Sequence, residues 1–197
     1  MLAVAERAFA ERGFHAASVD AIAEGSGISK PMIYAYFGSK EGLYRACMVR
    51  AHTRLLEALA AGVDPAAPPD QQLWHGLLAV FTFVEREHDS WAILLGEVTA
   101  GTGPFAREGA EVRREMTALV ADLLRRAALA EGIAEDALVT VEPIARSLIG
   151  AGESLAVWWV DYPEESAERV ALVLMNFAWN GLGGIIEGRG WAPNPGG

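Results

Sequence analysis

The stretch that decides the fold is SVDAIAEGSGISKPMIYAYFGSKEGLY, residues 18–44. It contains two short helical patterns separated by Gly25-Ser26-Gly27, a run that breaks a helix. Ser18 can cap the N-terminus of the first pattern and Ser29 that of the second, where Pro31 suits the first helical turn. Two short helices joined by a tight glycine-containing turn predict a helix-turn-helix.

The inward-facing positions of this stretch fit that prediction. Two helices that cross at a tight turn need a small residue where they approach and glycine at the bend, and Ala23 and Gly27 stand four residues apart to fill these roles. The apolar contacts that hold the angle are expected from Ile22, Ile28, Ile33 and either Tyr36 or Phe37. An alanine and a glycine four apart are a weak signal by themselves, and the matched apolar positions make it specific.

The outward-facing residues of the second helix predict what the unit binds. Lys30 can reach a base edge or a phosphate, Met32 can contact a thymine methyl group, and the Tyr34 hydroxyl can hydrogen-bond a phosphate. Ser18 and Lys40 lie near helix N-termini, whose free N–H groups suit phosphate. The predicted DNA-binding residues are Ser18, Ser29, Lys30, Pro31, Met32, Tyr34, Tyr36 and Lys40. The alternative is that the tyrosines are half-buried packing residues, Tyr36 above all, and that the lysines are only solvated.

The distribution of charge separates the two ends of the chain. The net charge of -10 argues against DNA binding by the chain as a whole, because affinity for DNA depends on cations. Residues 1–50, however, carry +1, whereas residues 51–197 carry -11. Both lysines of the protein, Lys30 and Lys40, lie close together in the first part. This pattern is typical of a DNA-reading domain fused to an acidic domain of another function, although acidic helices that merely aid solubility would give it too.

Length and composition limit the class of protein. A chain of 197 residues with 52% apolar residues can bury a large core, which argues against intrinsic disorder. A single cysteine excludes a disulfide framework, and the absence of a secretory signal pattern predicts a cytoplasmic protein. Residues 170–186 carry no charge, but their asparagines and glycines favour a buried subunit interface over a membrane span.

Helical spacing dominates the whole chain, so we predict an all-α fold of about nine helices. The predicted helices span residues 2–12, 18–24, 29–37, 40–61, 70–88, 91–100, 104–131, 139–160 and 163–187. Breaks are expected at Gly13, at 62–69, at 88–90, at 101–104 and at Gly132, with a frayed tail from Gly188. The predicted domains are a helix-turn-helix DNA-binding domain over 1–46 and a ligand-binding and dimerisation domain over 47–197, connected by the helix from 40 to about 61.

Residues 5–46 resemble the N-terminal DNA-binding domain of the TetR family of bacterial transcriptional regulators. The family's Ile-Ala pair corresponds to Ile22-Ala23, and its glycine turn to Gly27-Ile28-Ser29. Its Leu/Ile-Tyr-x-x-Phe element corresponds to residues 33–37, and its Ser-Lys-Glu-x-Leu start of the fourth helix to residues 39–43. The chain departs from many members at Pro31-Met32, where Gly-Thr is common, and its operator sequence therefore cannot be transferred from relatives.

The resemblance implies a homodimer with one helix-turn-helix per subunit. It also implies a divergent C-terminal domain of about six helices that binds a small molecule, usually in repressors that release DNA when the effector binds. The function predicted is therefore a ligand-responsive repressor of a palindromic operator, with a small, largely apolar effector, no enzymatic activity and no cofactor or metal.

The dimer surface is expected on the last two long helices, about 139–160 and 163–187, which by resemblance pair with their copies. The small residues Gly150, Ala151, Gly152, Gly181, Gly183 and Gly184 would allow close approach between helices. Such a dimer would place the two recognition helices ~34–36 Å apart, one turn of DNA.

The effector pocket is predicted from apolar side chains with a few polar groups among them. The candidates are Trp74, His75, Phe81, Trp91, Leu95, Met116, Glu153, Trp158 and Trp159. Aromatic residues at helical spacing are more often simple core, so core packing is the competing interpretation. Glu153 would either meet a polar or cationic ligand group or pair with Arg146.

Three alternatives remain open at the level of sequence. The first is an enzyme that uses the charged run Glu85, Glu87, His88 and Asp89, for which a solvated helix end is the simpler explanation. The second is a helical lipid- or protein-binding module that has lost DNA binding. The third is a redox role for Cys47, for which a buried, unreactive thiol is the simpler interpretation.

Overall fold

The structure, a computed structural model, describes residues 1–100, 103–130, 132 and 140–186. These residues form nine α-helices and no strand, which confirms the predicted all-α fold. The helices are α1 (Leu2–Ala16), α2 (Val19–Ser26), α3 (Lys30–Phe37), α4 (Lys40–Gly62), α5 (Pro69–Arg86), α6 (His88–Ala100), α7 (Ala106–Ala130), α8 (Val141–Val160) and α9 (Ala167–Ile186). The predicted break at Gly101 and the predicted tail from Gly188 lie outside the described residues.

Three helix boundaries differ from the sequence prediction by three residues or more, and α2 continues through Gly25 to Ser26, so that only Gly27 of the predicted break lies outside the helix. α1 continues to Ala16 as one more turn beyond a kink at Gly13, whose φ of 71° only glycine adopts readily. α6 begins at His88 rather than after Ser90, so the break before it is the single residue Glu87. α9 begins at Ala167 rather than at residue 163, because a turn occupies the intervening residues and the Ser166 hydroxyl caps the helix by accepting from the Arg169 N–H at 3.2 Å.

The chain divides into two compact units, and the first contains Met1–Ala61 and Thr82–Glu115. Its core joins α1, α2, α3 and α4 to buried side chains of α6 and of the turn before α7. Phe9, Tyr44 and Phe105 form edge or tilted ring contacts at its centre, with Phe14 against them. The helices that would read DNA are therefore packed in one core with α6.

The second unit contains Gly62–Phe81 and Met116–Gly197. Within it α8 packs against α9, and Gly152 lies at their contact, because a Cβ there would come 3.4 Å from the Leu174 side chain. Gly152 thus serves packing within one chain, whereas Gly150 and Gly181 face open space. No helix in the described part of the chain is long and apolar enough to cross a membrane.

Candidate nucleic-acid interface

Capping fixes the two helices of the helix-turn-helix. The Ser18 hydroxyl accepts from the Ala21 N–H at 3.4 Å at the start of α2, and the Ser29 hydroxyl accepts from the Met32 N–H at the same distance at the start of α3. Between them Gly27 adopts a left-handed φ of 68°. Both predicted caps and the predicted turn glycine are therefore present, and they set the direction in which α3 leaves the turn.

One side of α3 is buried and the other is exposed. Ile33 is buried in the core and Phe37 is half-buried against it. Met32, Tyr34 and Tyr36 are exposed, and Tyr36 is the most open of them at 76%. The Tyr36 ring therefore does not pack into the core, although the sequence pattern allowed either position for it. The exposed side of α3 offers two hydroxyl groups, one thioether and the Lys30 ammonium group at its start.

The two lysines have different partners. Lys40 Nζ donates to the His15 carbonyl oxygen at 3.0 Å and lies 5.0 Å from the centre of the Phe14 ring, both neutral groups. Lys30 Nζ instead forms an ion pair with Asp20 Oδ2 at 2.9 Å. The hydrogen bond that Lys30 donates to the Asp20 carboxylate is the main cause that raises the pKa of Lys30 above its usual range. Asp20 lies in the first turn of α2, and no sequence signal indicates its pairing with a residue ten positions away.

A buried polar cluster, hereafter the Glu6 cluster, links three helices of the same unit. Glu6 of α1 is 3% exposed, and its Oε2 accepts from Arg50 Nη1 of α4 at 3.0 Å and from the Ser90 hydroxyl of α6 at 3.5 Å. Its Oε1 is buried without a hydrogen-bond partner among the described residues. Burial, the largest influence, raises the pKa of the Glu6 carboxyl, and the positive charges of Arg50 and Arg54 oppose it. The sequence analysis missed this cluster.

The predicted pocket residues are divided between the two units. Trp91 and Leu95 belong to the first unit, and Trp91 is buried with no partner for its indole N–H among the described residues. In the second unit Phe81 is buried and meets Trp159 edge-on at 6.0 Å, while Trp74, His75, Met116 and Glu153 are half-buried. Trp158 is 42% exposed and stacks on Tyr162 at 4.6 Å. Arg146 pairs with Glu142, one helical turn away.

Among the residues considered for other chemistry, Glu87 and Cys47 have defined structural surroundings. Glu87 pairs with Arg54, which joins the end of α5 to α4. No group of three or more His, Cys, Asp or Glu side chains suited to a metal occurs in the part of the chain that the structure describes. Cys47 is buried, and desolvation raises the pKa of its thiol to about 12, so it carries almost no thiolate at neutral pH.

These features define a class: an all-helical protein with a capped helix-turn-helix whose second helix exposes hydroxyl and ammonium groups, followed by a second helical region. Comparison with family models agrees. Residues 1–47 match the model for bacterial regulatory proteins of the tetR family, and residues 69–181 match that for the tetracyclin repressor-like C-terminal domain. The chain belongs to the TetR family of transcriptional regulators, which are DNA-binding proteins and not enzymes.

Similar proteins extend this result over most of the chain. The HTH-type transcriptional activator FasR of Mycolicibacterium smegmatis is 30% identical over 185 residues, which cover 92% of this chain and 81% of FasR. A crystal structure of a TetR-like transcriptional regulator from Rhodococcus sp. RHA1 is 36% identical, with a TM-score of 0.78 and 93% of each chain covered. The fatty acid degradation regulator FadR of Bacillus halodurans shares the fold with a TM-score of 0.79 at 18% identity, covering 91% of this chain and 96% of that one.

Proposed function

We propose that this protein is a cytoplasmic, effector-responsive repressor that binds a palindromic operator as a homodimer. The observation that carries the proposal is the exposed side of α3, where Lys30, Met32, Tyr34 and Tyr36 stand clear of a core that fixes the helix. An α-helix that presents such groups fits the major groove, with the ammonium and hydroxyl groups directed to phosphates and base edges.

Dimerisation is proposed through α8 and α9. On α9 the exposed residues Leu172, Val173, Asn176, Phe177 and Asn180 recur at helical spacing, which makes one apolar stripe. The two asparagine amides donate to main-chain carbonyl oxygens of their own helix, so burial of the stripe leaves these amide donors satisfied. A contiguous apolar face of this kind is typical of a homodimer interface.

The effector site is proposed from the buried and half-buried candidate residues of each unit, taken separately. The buried Trp91 indole N–H supports an effector that carries a hydrogen-bond acceptor, because a buried donor without a partner costs free energy until one is supplied. The remaining candidates are mainly apolar, which favours a largely apolar small molecule.

A second direction of regulation has a specific observation in its favour. FasR, which resembles this chain over most of its length, is named as a transcriptional activator. An activator would form the same complex with the operator as a repressor does. Repression and activation would then differ in the position of the operator relative to the promoter. Transcription in vitro from a promoter that carries the operator, with and without the protein, distinguishes them.

Replacing Lys30 with Ala should weaken binding to the operator about 10- to 100-fold, since a direct DNA contact of this kind contributes ~1–3 kcal/mol. The operator used here, the selected duplex, is the one that the wild-type protein enriches from a random library. If Lys30 contacts a phosphate, the dependence of log affinity on log salt should also become shallower by about 1. Fluorescence anisotropy over a salt series measures both quantities, and thermal unfolding checks that the variant is folded.

Arg125→Ala is the matched control, because Arg125 is an exposed cation of α7 outside the proposed DNA-binding surface. It should change the affinity less than twofold. Equal effects of the two substitutions would contradict the placement of Lys30 in the interface.

A further inference from the structure

We propose that Asp20 is an internal competitor of DNA for Lys30, so that this carboxylate limits how tightly the protein holds a phosphate backbone. The inference rests on the proposed DNA-binding function, and it gives Asp20 the role of weakening the binding of DNA. Asp20 lies in the first turn of α2 and Lys30 is the first residue of α3, so their ion pair closes across the helix-turn-helix itself.

The pair is exposed, which makes it exchangeable. The side chains of Lys30 and Asp20 are 42% and 73% exposed, and an ion pair in water contributes little to stability. A DNA phosphate that approaches Lys30 can therefore replace Asp20 as its acceptor, because a charge-assisted hydrogen bond to phosphate is at least as strong. The exchange leaves the Asp20 carboxylate beside a polyanion without its counter-ion, which opposes binding.

Lys40 shows that this arrangement is particular to one of the two lysines. Its partners are a carbonyl oxygen and an aromatic ring, and no carboxylate among the described residues has to be displaced before it meets a phosphate. Within the part of the chain that the structure describes, Lys30 is therefore the lysine held by an acidic residue. The acidic residue sits where a DNA-binding surface ordinarily carries cations, and removing it should strengthen binding to any duplex.

The test compares Asp20→Asn with Glu24→Gln by fluorescence anisotropy, on the selected duplex and on a scrambled duplex, at several salt concentrations. Glu24 is an exposed acid one turn further along α2, so both variants remove one negative charge from the same helix. Asp20→Asn should tighten binding to both duplexes about 3- to 10-fold and steepen the salt dependence, whereas Glu24→Gln should change the affinity less than twofold.

A double variant tests whether Asp20 acts through Lys30. In a Lys30→Gln background the gain from Asp20→Asn should fall to less than twofold, the change expected of Glu24→Gln, because no ammonium group is left to release and only general charge repulsion remains. A gain that persists in that background, or one that Glu24→Gln matches, overturns the proposal. Asp20→Ser removes the same charge and replaces Asp20→Asn if thermal unfolding shows that the asparagine variant is not folded.

These measurements distinguish a failure of the Asp20 proposal from a failure of the proposed DNA-binding function. Wild-type protein that binds no duplex refutes both ideas. Wild-type protein that prefers the selected duplex, together with an Asp20→Asn variant that binds no more tightly, refutes only the competition between Asp20 and DNA.

Discussion

Phe177→Arg is expected to convert the proposed dimer into a monomer and to weaken operator binding by about 100-fold or more. Phe177 is 72% exposed on α9 and has Val173 and Leu172 beside it on the same stripe. Two buried arginines facing each other in a symmetric interface would lose hydration and repel one another, a cost of several kcal/mol. Operator affinity falls with the dimer because the second half-site is bound at a high effective concentration only when the subunits are linked.

Light scattering coupled to size exclusion measures the mass of the protein, and anisotropy measures its affinity for the operator. Leu119→Arg is the matched control, since Leu119 is an exposed apolar residue of α7 outside the α9 stripe. It should remain dimeric. A Phe177→Arg protein that keeps the mass of a dimer at micromolar concentration would show that the interface lies elsewhere.

Arg50→Met is expected to lower the free energy of unfolding by about 2–4 kcal/mol at neutral pH. The substitution leaves the Glu6 carboxylate buried without the cation that hydrogen-bonds to it, with Arg54 as its remaining positive neighbour, and removing one partner of a buried pair costs ~3–5 kcal/mol. Arg50 is 35% exposed, so solvent screening reduces the expected loss. The Ser90 hydroxyl remains but supplies no charge.

The loss of unfolding free energy caused by Arg50→Met should increase as the pH rises. Burial raises the pKa of Glu6, so the folded protein keeps the proton at pH values where the unfolded chain, with an ordinary carboxyl, has released it. The stability that the Glu6 carboxyl contributes is therefore lost as the pH rises from the ordinary pKa of a glutamate in the unfolded chain toward the higher pKa of Glu6 in the folded protein. Arg50 lowers the folded pKa, so its removal raises that pKa further and extends the range of pH over which stability falls.

Urea unfolding of the variant at pH 5 and pH 8 tests this prediction. The deficit relative to wild type should be larger at pH 8. Adding Glu6→Gln should recover part of the stability and remove the pH dependence of the deficit, because the glutamine carries no charge to bury. A deficit that is equal at both pH values would show that Arg50 acts by packing its side chain rather than by charge.

The sequence predicted the helix-turn-helix closely because its determinants are local. Each cap at Ser18 and Ser29 depends on a backbone N–H three residues away, and Gly27 adopts a conformation that its own lack of a side chain permits. The exposed side of α3 follows from the burial of Ile33 by helical spacing alone. Interactions that span a few residues leave a pattern in the sequence.

The features that sequence did not predict depend on contacts between distant residues. Glu6 was one acidic residue in an amphipathic helix, and its burial follows from Arg50 and Ser90, which lie 44 and 84 residues further along the chain. Trp158 and Trp159 are adjacent in sequence, yet only Trp159 is buried, since the packing of α8 decides which indole faces inward. The roles of the candidate DNA and effector residues remain predictions, as do the domain bounds at 1–46 and 47–197.

The central claim is that two copies of α3, held apart by the dimer, enter successive major grooves of one duplex. Selection of bound duplexes from a random library by the wild-type protein, followed by sequencing, tests it most directly. We predict enrichment of an inverted repeat whose half-site centres lie about 10 base pairs apart, or a multiple of one turn. Enrichment of a single half-site or a direct repeat, or of no sequence at low salt, would contradict the account.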